Sequence, residues 1–122
     1  MELEESLTRL KGELLKNLPE DGNFVMSDCG VTFHRSDSTH DMKKIMLKPT
    51  IVLVVSGKKW FNASGTQIEV KRGQFLLTGM DLPGACHVSE ATRENPYLSI
   101  LVALDGATLH ELVLETLNEW NE

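Results

Sequence analysis

The chain has 122 residues, of which 41% are hydrophobic and 25% are charged. This length supports one domain with a single core and leaves no room for a second folding unit of similar size. Twelve basic residues stand against eighteen acidic ones, which gives a net charge of −6. Because a surface that binds duplex DNA needs clustered lysine and arginine to neutralise phosphates, we expect that this chain does not itself bind DNA.

We expect neither an export signal nor a membrane-spanning segment. Met1 is followed by acidic residues instead of the basic region and apolar run of a secretory signal. The longest uninterrupted apolar run, at residues 51–55, has five residues, which is too short to span a bilayer. Cys29 and Cys86 have neither metal-site spacing nor a disulfide framework. This cysteine usage is typical of a reducing compartment, so we expect a cytoplasmic protein.

The first segment, residues 1–20, is predicted to be a helical arm. Leucines at positions 3, 7, 10, 14 and 18 recur every three or four residues, which places them along one face of an amphipathic helix. The proline at position 19 and the polar residues after it then end the helix. We expect the helix to pack on its own domain; the alternative is that it pairs with a partner.

From Phe24 onward the sequence changes to short segments rich in valine, isoleucine, phenylalanine and threonine, separated by turn residues. This pattern is typical of an antiparallel β-barrel or sandwich, which we place at residues 24–104. The predicted strands lie near residues 24–27, 30–35, 43–47, 50–56, 58–62, 66–70, 75–78, 85–90 and 97–104.

Three features of these strands give more specific expectations. Residues 51–55 and 98–104 are apolar at both alternations, so these strands are either covered on both faces or lie between a cavity and a helix. Ile68 and Val70 alternate with polar residues and should face inward. Residues 63–65 fit a three-residue hairpin loop with glycine at the left-handed position.

The last segment, residues 106–121, is predicted to be a helix with Asp105 as its N-cap. Three glutamates recur at four-residue intervals on one flank, and like charges at that spacing weaken an isolated helix. The helix should therefore rely on tertiary or subunit packing. The face that we expect to pack or dimerise consists of Leu109, Leu112, Val113, Leu117 and Trp120.

Between residues 49 and 114 a series of short motifs follows one another in a defined order. They are Ser56-Gly57-Lys58-Lys59, Gly73-Gln74-Phe75-Leu76-Leu77, Asp81-Leu82-Pro83, Glu90-Ala91-Thr92, Asn95-Pro96-Tyr97-Leu98 and Leu104-Asp105. In their order and spacing they resemble the N-terminal domain of AraC-type bacterial transcription regulators.

That resemblance implies a mainly β fold: a cupin-like antiparallel β-barrel, or double-stranded β-helix, with an N-terminal and a C-terminal helix. In the family, this domain binds a small effector or otherwise gates a C-terminal pair of helix-turn-helix motifs, and its helices dimerise. The DNA-binding half has no counterpart in this sequence. We therefore expect an excised part of a longer regulator, in which DNA is bound only through a C-terminal domain outside this chain.

The barrel interior is the expected site for an effector, because small-molecule pockets are mainly apolar with a few placed polar groups. The alternative is that the same side chains simply fill the barrel. The candidate lining residues are Phe33, His34, Leu53, Trp60, Phe75, His87, Tyr97 and Ile100.

Catalytic chemistry finds little support in the sequence. Metal-binding cupins usually carry a His-x-His pair and a following carboxylate, whereas the four histidines here are scattered. Cys86 is placed to edge a cavity as a buried, inert thiol. We expect no catalytic residues, no metal and no cofactor.

The sequence therefore predicts a non-enzymatic sensor and dimerisation domain, with a small molecule and a second copy of the chain as partners. The alternative from another class is a small stand-alone cupin-type enzyme, such as an isomerase or a dioxygenase.

Overall fold

The computed structural model describes residues 2–26 and 30–121, without the side chains of Met26, Thr108 and Leu109. Cys29 lies outside these ranges. The described residues form nine strands between two helices, in the predicted order. They are α1 (Glu2–Asn17), β1 (Gly22–Met26), β2 (Val31–Ser36), β3 (Lys43–Leu47), β4 (Thr50–Ser56), β5 (Lys58–Ala63), β6 (Thr66–Lys71), β7 (Phe75–Thr78), β8 (Leu82–Glu90), β9 (Tyr97–Ala103) and α2 (Gly106–Trp120).

The strands form two antiparallel sheets. The first has the order β1-β2-β9-β4-β7 and the second the order β3-β8-β5-β6. Neighbours such as β4 and β9 are far apart in the chain, so the sheets are built by long-range pairing instead of by a simple series of hairpins. The predicted mainly β fold class, with a helix at each end, is confirmed.

The two sheets pack face to face around a barrel core. Its members come from both sheets and alternate along each strand with side chains on the opposite face. The buried residues of this core are Val54, Phe61, Val70, Cys86, Val88 and Tyr97.

A second core lies on the other face of the first sheet, beneath α1. Leu14 and Leu18 of the helical arm pack there against Val55 and Leu98. The helix therefore packs on its own domain, as expected. It also explains why β4 and β9 are apolar at both alternations, because one face of each strand meets the barrel interior and the other meets α1.

The β5–β6 hairpin is tighter than the sequence predicts. Ala63 pairs directly with Thr66, which leaves a two-residue loop instead of three. Ser64 and Gly65 both have positive φ, 52° and 79°. This is the conformation of a type I′ turn, whose twist matches that of the flanking strands.

Both residues predicted to face inward on β6 do so, because Ile68 is the cross-strand partner of the inward-facing Phe61 and Val70 is in the core, but their burial differs. Val70 is buried in the barrel core, but Ile68 is 41% exposed. The strand β6 is at the edge of its sheet, with β5 as its single neighbour. An inward side chain near the end of such a strand is covered from one side only.

Candidate ligand-binding cavity

A cavity of about 640 Å³ lies between the two sheets. This volume falls within the range of about 300–1,000 Å³ that is typical of small-molecule sites. Exposed residues such as Ser38 and Met46 form its rim. Its inner wall is made by side chains that are buried in the barrel, namely Val52, Phe61, Thr78, Cys86 and Ser99.

Lys59 contributes a basic side chain to the cavity from β5. Its ammonium nitrogen lies 5.4 Å from the centroid of the Phe61 ring and 5.5 Å from that of Tyr97. Burial lowers the pKa of Lys59, and the neighbouring Cys86 thiol offsets part of that effect. Lys59 is thus held among aromatic rings and a thiol instead of at a solvated surface.

His34 lines the same cavity from β2. Its ring packs edge-on against Tyr97, with the centroids 5.4 Å apart and the planes at 68°. Burial is the main reason that the pKa of His34 falls to about 4, and electrostatic interactions with Lys59, His40 and Lys43 lower it further. At neutral pH His34 is therefore an uncharged imidazole that borders the cavity.

Two buried hydroxyls on β9 have no hydrogen-bond partner among the described residues, those of Tyr97 and Ser99. Burial raises the pKa of Tyr97, while the nearby Ser99 hydroxyl lowers it by a smaller amount. The geometry between the two falls short of a hydrogen bond. Since buried polar groups are nearly always paired, these two hydroxyls are unusual, and of the two residues only Ser99 lines the cavity within the described part of the chain.

The segment between β2 and β3 is fixed at the cavity rim by hydrogen bonds. The backbone N–H of His40 donates to the Val88 carbonyl at 3.2 Å, and the Val88 N–H donates to His40 Nε2 at 3.3 Å. With Nε2 accepting, Nδ1 carries the proton and donates to the Asp41 carbonyl at 2.9 Å. The His40 side chain in this way forms part of the cavity wall.

The structure brings one of the predicted lining residues, His34, to the cavity wall. Tyr97 does not line the cavity; it is buried in the barrel core and contacts the side chains of His34 and Lys59. Cys86, expected to edge a cavity, also lines it and is buried.

Three other predicted residues lie elsewhere, because the first sheet turns them away from the barrel interior. Phe33, Leu53 and Ile100 occupy the opposite face and pack in the second core beneath α1. Their large apolar side chains fit an interior position in either core, so composition alone does not choose between the two.

The remaining three predicted residues are also directed away from the cavity. Trp60 and His87 are cross-strand partners and alternate with Phe61 and Cys86, which face inward. His87 Nδ1 is buried without a partner among the described residues. Phe75 is largely exposed on β7, next to the inward-facing Leu76.

Sequence reasoning missed Lys59, Phe61 and Ser99 as lining residues. Trp60 and Phe61 are both aromatic, so strict alternation along β5 allows two phases, and a lysine on a strand suggests the solvent side. The signal for the correct phase is the tertiary packing of Phe61 into the barrel core.

The predicted packing face of α2 is exposed in the single chain. Leu112, Val113, Leu117 and Trp120 each have half or more of their surface accessible. The side chain of Leu109 lies outside the described residues. Within the described chain α2 therefore presents an apolar face that its own barrel does not cover.

Residues 2–26 and 30–121 contain neither a metal-binding cluster nor a membrane-spanning helix. Histidine, cysteine, aspartate and glutamate side chains form no group of three or more that could hold a metal ion. Neither helix of this part of the chain has the length and apolar character needed to cross a membrane.

The sequence pattern of the family described as "AraC-type transcriptional regulator N-terminus" matches residues 29–122. The chain belongs to this family. The match extends over most of the chain and covers β2 to β9 together with α2, so it includes the strands that line the cavity except β1. The resemblance that the short motifs indicate is thereby confirmed.

One solved structure with a TM-score above 0.5 places this AraC-type domain in the cupin fold. A cupin-2 domain protein from Shewanella frigidimarina superposes with a TM-score of 0.52 at 9% identity, covering 76% of this chain and 91% of that one. The cupin domain of Drosophila melanogaster CENP-C gives a TM-score of 0.47 at 12% identity, covering 68% and 70%. At such identities the similarity shows the fold alone.

Among curated proteins, the energy-coupling factor transporter ATP-binding protein EcfA1 of Oceanobacillus iheyensis is similar to this AraC-type domain. The two are 29% identical over 80 residues, which is 65% of this chain. The matched region covers 27% of that protein, so the chain spans about a quarter of the length of this relative.

Proposed function

We propose that this AraC-type N-terminal domain senses a small effector in the barrel cavity and pairs with a second copy of itself through α2. The observation that carries the proposal is the cavity of about 640 Å³ between the sheets. A small barrel filled by its own side chains would offer no place for a ligand. Here apolar walls surround a few polar groups, which is the usual composition of a small-molecule site.

The proposal gives the cavity a binding role without catalysis. Membership of a regulator family supports this role. The alternative of a cupin-type isomerase or dioxygenase is not favoured by any group of side chains in residues 2–26 and 30–121, where no metal-ligating cluster occurs.

The dimerisation part of the proposal rests on α2. An amphipathic helix normally buries its apolar face, yet the apolar side chains of α2 are exposed in the monomer. A second copy offers an identical face, and two such faces can form a self-complementary two-fold interface.

The connection between the two sites is short. The strand β9 carries Ser99 and Leu101 at the cavity wall and ends at Ala103, shortly before α2 begins at Gly106. A ligand that favours one position of β9 would bias the orientation of α2, and through it the presentation of a C-terminal DNA-binding domain in a longer protein. This is a population shift between two arrangements of the dimer.

A thermal-shift screen against small metabolites tests the sensing role, because a ligand that binds only the folded state raises the apparent stability. The screen is run on the wild type and on Val52→Phe, which enlarges a buried side chain at the cavity wall. Val25→Phe, on an exposed side chain of β1, is the matched control.

We expect hits for the wild type and for Val25→Phe that disappear in Val52→Phe, while the Tm of the free Val52→Phe protein stays at or above that of the wild type. Hits that persist in a folded Val52→Phe variant would place the ligand elsewhere and contradict the proposal.

A further inference from the structure

The charge of the cavity lining is opposite to that of the whole chain, which carries a net −6. Among the described lining residues only Asp21 is acidic, and it already accepts a hydrogen bond from the backbone of Asp37. The basic lining residues are Arg35, Lys43, Lys48 and Lys59.

Two of these four cations are neutralised within the protein. Arg35 Nε lies 2.8 Å from the Asp37 carboxylate, and Lys48 Nζ lies 3.4 Å from that of Asp81. Lys43 and Lys59 form no ion pair with the described residues. Two unpaired positive charges therefore remain at the cavity.

Lys59 differs from Lys43 in being enclosed. Lys43 is exposed at the rim and its ammonium group is solvated, whereas Lys59 is partly buried between the rings of Phe61 and Tyr97. A buried charge without an ion-pair partner is costly, and the neighbouring Cys86 thiol and the cation–π contacts offset only part of that cost. An anion in the cavity would supply the missing partner.

A hydrogen-bond donor without a partner lines the same space. The Ser99 side chain is 1% exposed, and its hydroxyl is unpaired. A carboxylate accepts several hydrogen bonds at once, so one ligand group can meet both the ammonium of Lys59 and the hydroxyl of Ser99.

The remaining lining residues indicate the chemistry of the part of the ligand that does not carry the anionic group. Val52, Phe61, Leu76 and Leu101 line the cavity with apolar surface. Phosphate recognition typically uses a free arginine fork or a helix N-terminus, but Arg35 is engaged by Asp37 and the described wall residues come from strands and loops. These features favour one carboxylate on an apolar body.

We propose that the cavity binds a small organic monocarboxylate, with its carboxylate at Lys59 and Ser99 and its apolar body against Val52 and Leu101. This inference rests on the proposed function, since it names the chemical class of the effector for the same cavity.

The test compares two monocarboxylates, hexanoate and cyclohexanecarboxylate, with their primary amides, which have nearly the same shape without the charge. At about 10 mM, a ligand with a Kd of about 1 mM still stabilises the folded state measurably. We expect the carboxylates to raise the Tm of the wild type and the amides to leave it unchanged.

Lys59→Met removes the charge and keeps the unbranched side chain, and Lys71→Met is the control on an exposed strand end. We expect at least a tenfold weaker Kd for the carboxylates in Lys59→Met, a smaller loss in Ser99→Ala, and no change in Lys71→Met. If Lys59→Met fails to fold, Ser99→Ala carries the comparison.

Backbone amide NMR shifts of Ser99 and Leu101 on ligand addition distinguish a wrong ligand class from a wrong binding site. Shifts that are equal for amides and carboxylates would overturn the ligand class while leaving the cavity as an effector site. Carboxylate binding that leaves both residues unshifted, or that survives in Lys59→Met and Ser99→Ala alike, would overturn the inference and place the ligand outside the proposed site. No Tm change with either carboxylate would also overturn it.

Discussion

The ammonium group of Lys59 lies 5.5 Å from the ring centroid of Tyr97, and the edge of the His34 ring meets that same tyrosine. Two basic side chains thus share one fully buried aromatic ring at the cavity wall. Because both side chains are partly buried there, a positive charge on one disfavours a positive charge on the other. The charge of Lys59 accordingly contributes to the lowered pKa of His34.

This pairing predicts how stability depends on pH. The pKa of His34 is about 4 in the folded protein, whereas its ordinary value, which applies to the unfolded chain, is 6.5. Between these two pH values the unfolded chain therefore binds more protons than the folded protein. Stability due to the uncharged His34 is fully present above pH 6.5 and is lost as the pH falls through 4. We expect the free energy of unfolding to fall by up to about 3 kcal/mol over this window.

Urea denaturation at several pH values measures the effect. In His34→Gln the free energy of unfolding should fall less between pH 6.5 and 4, because the titrating group is gone. The control His110→Gln, on the exposed surface of α2, should keep the wild-type pH profile. An unchanged profile in His34→Gln would assign the acid sensitivity to other groups.

Tyr97→Phe tests the unpaired hydroxyl of β9. The substitution keeps the ring that contacts Lys59 and His34 and removes a buried oxygen that has no partner among the described residues. Since an unsatisfied buried group costs about 1–3 kcal/mol, we expect the free protein to gain about 1 kcal/mol in its free energy of unfolding. A loss in the denaturation experiment would show that the hydroxyl is paired in solution.

Much of the barrel follows from local sequence patterns. β4 and β9 are apolar at both alternations, which predicts strands that are either covered on both faces or lie between a cavity and a helix. The structure shows α1 on one face of these strands, and the leucine spacing of α1 identifies that helix. Turn residues fix most strand ends. Loop length is harder to predict from the sequence. An alanine at position 63 suits either a loop or a strand end, and its pairing with Thr66 in the structure assigns it to the end of β5.

The cavity wall is less predictable, for a physical reason. The inward position of Lys59 breaks the rule that charged side chains face water, and the neighbouring Trp60 is the side chain that the rule would place inside. Functional sites are where such local rules tend to fail. Similarly, Phe33 and Ile100 satisfy either core, so tertiary packing alone assigns them to the face beneath α1.

Gly57 is required at the β4–β5 turn by both conformation and space. Its φ is +83°, and a Cβ atom there would lie 2.6 Å from the Glu90 carbonyl oxygen and 2.9 Å from the Cα of Tyr97. Gly65 has a similar φ of +79° with nothing within 4 Å. We expect Gly65→Ala to cost about 1–2 kcal/mol from backbone strain alone, and Gly57→Ala to cost a further 1–3 kcal/mol, roughly, from overpacking.

Denaturation curves of the two variants are compared. Because the backbone strain is similar at both positions, the difference in their free energies of unfolding measures the steric cost at Gly57. Equal losses would mean that β8 and β9 move apart at little cost. In that case the turn would not hold Tyr97 in place behind the cavity.

The pairing role of α2 is tested by Leu112→Glu combined with Val113→Glu. The two side chains are 56% and 54% exposed, so the substitution removes little contact within the monomer. At a dimer interface it buries four carboxylates per dimer, which is strongly unfavourable without partners. We expect light scattering to show the mass of a monomer. The Tm should fall only by the amount that dimerisation contributes to stability.

The matched control is Glu111→Gln with Glu115→Gln, which changes two exposed positions of the same helix without adding charge to the apolar face. It should keep the wild-type mass and relieve like-charge repulsion at the four-residue spacing. A wild-type mass in the glutamate variant would exclude this face as the interface.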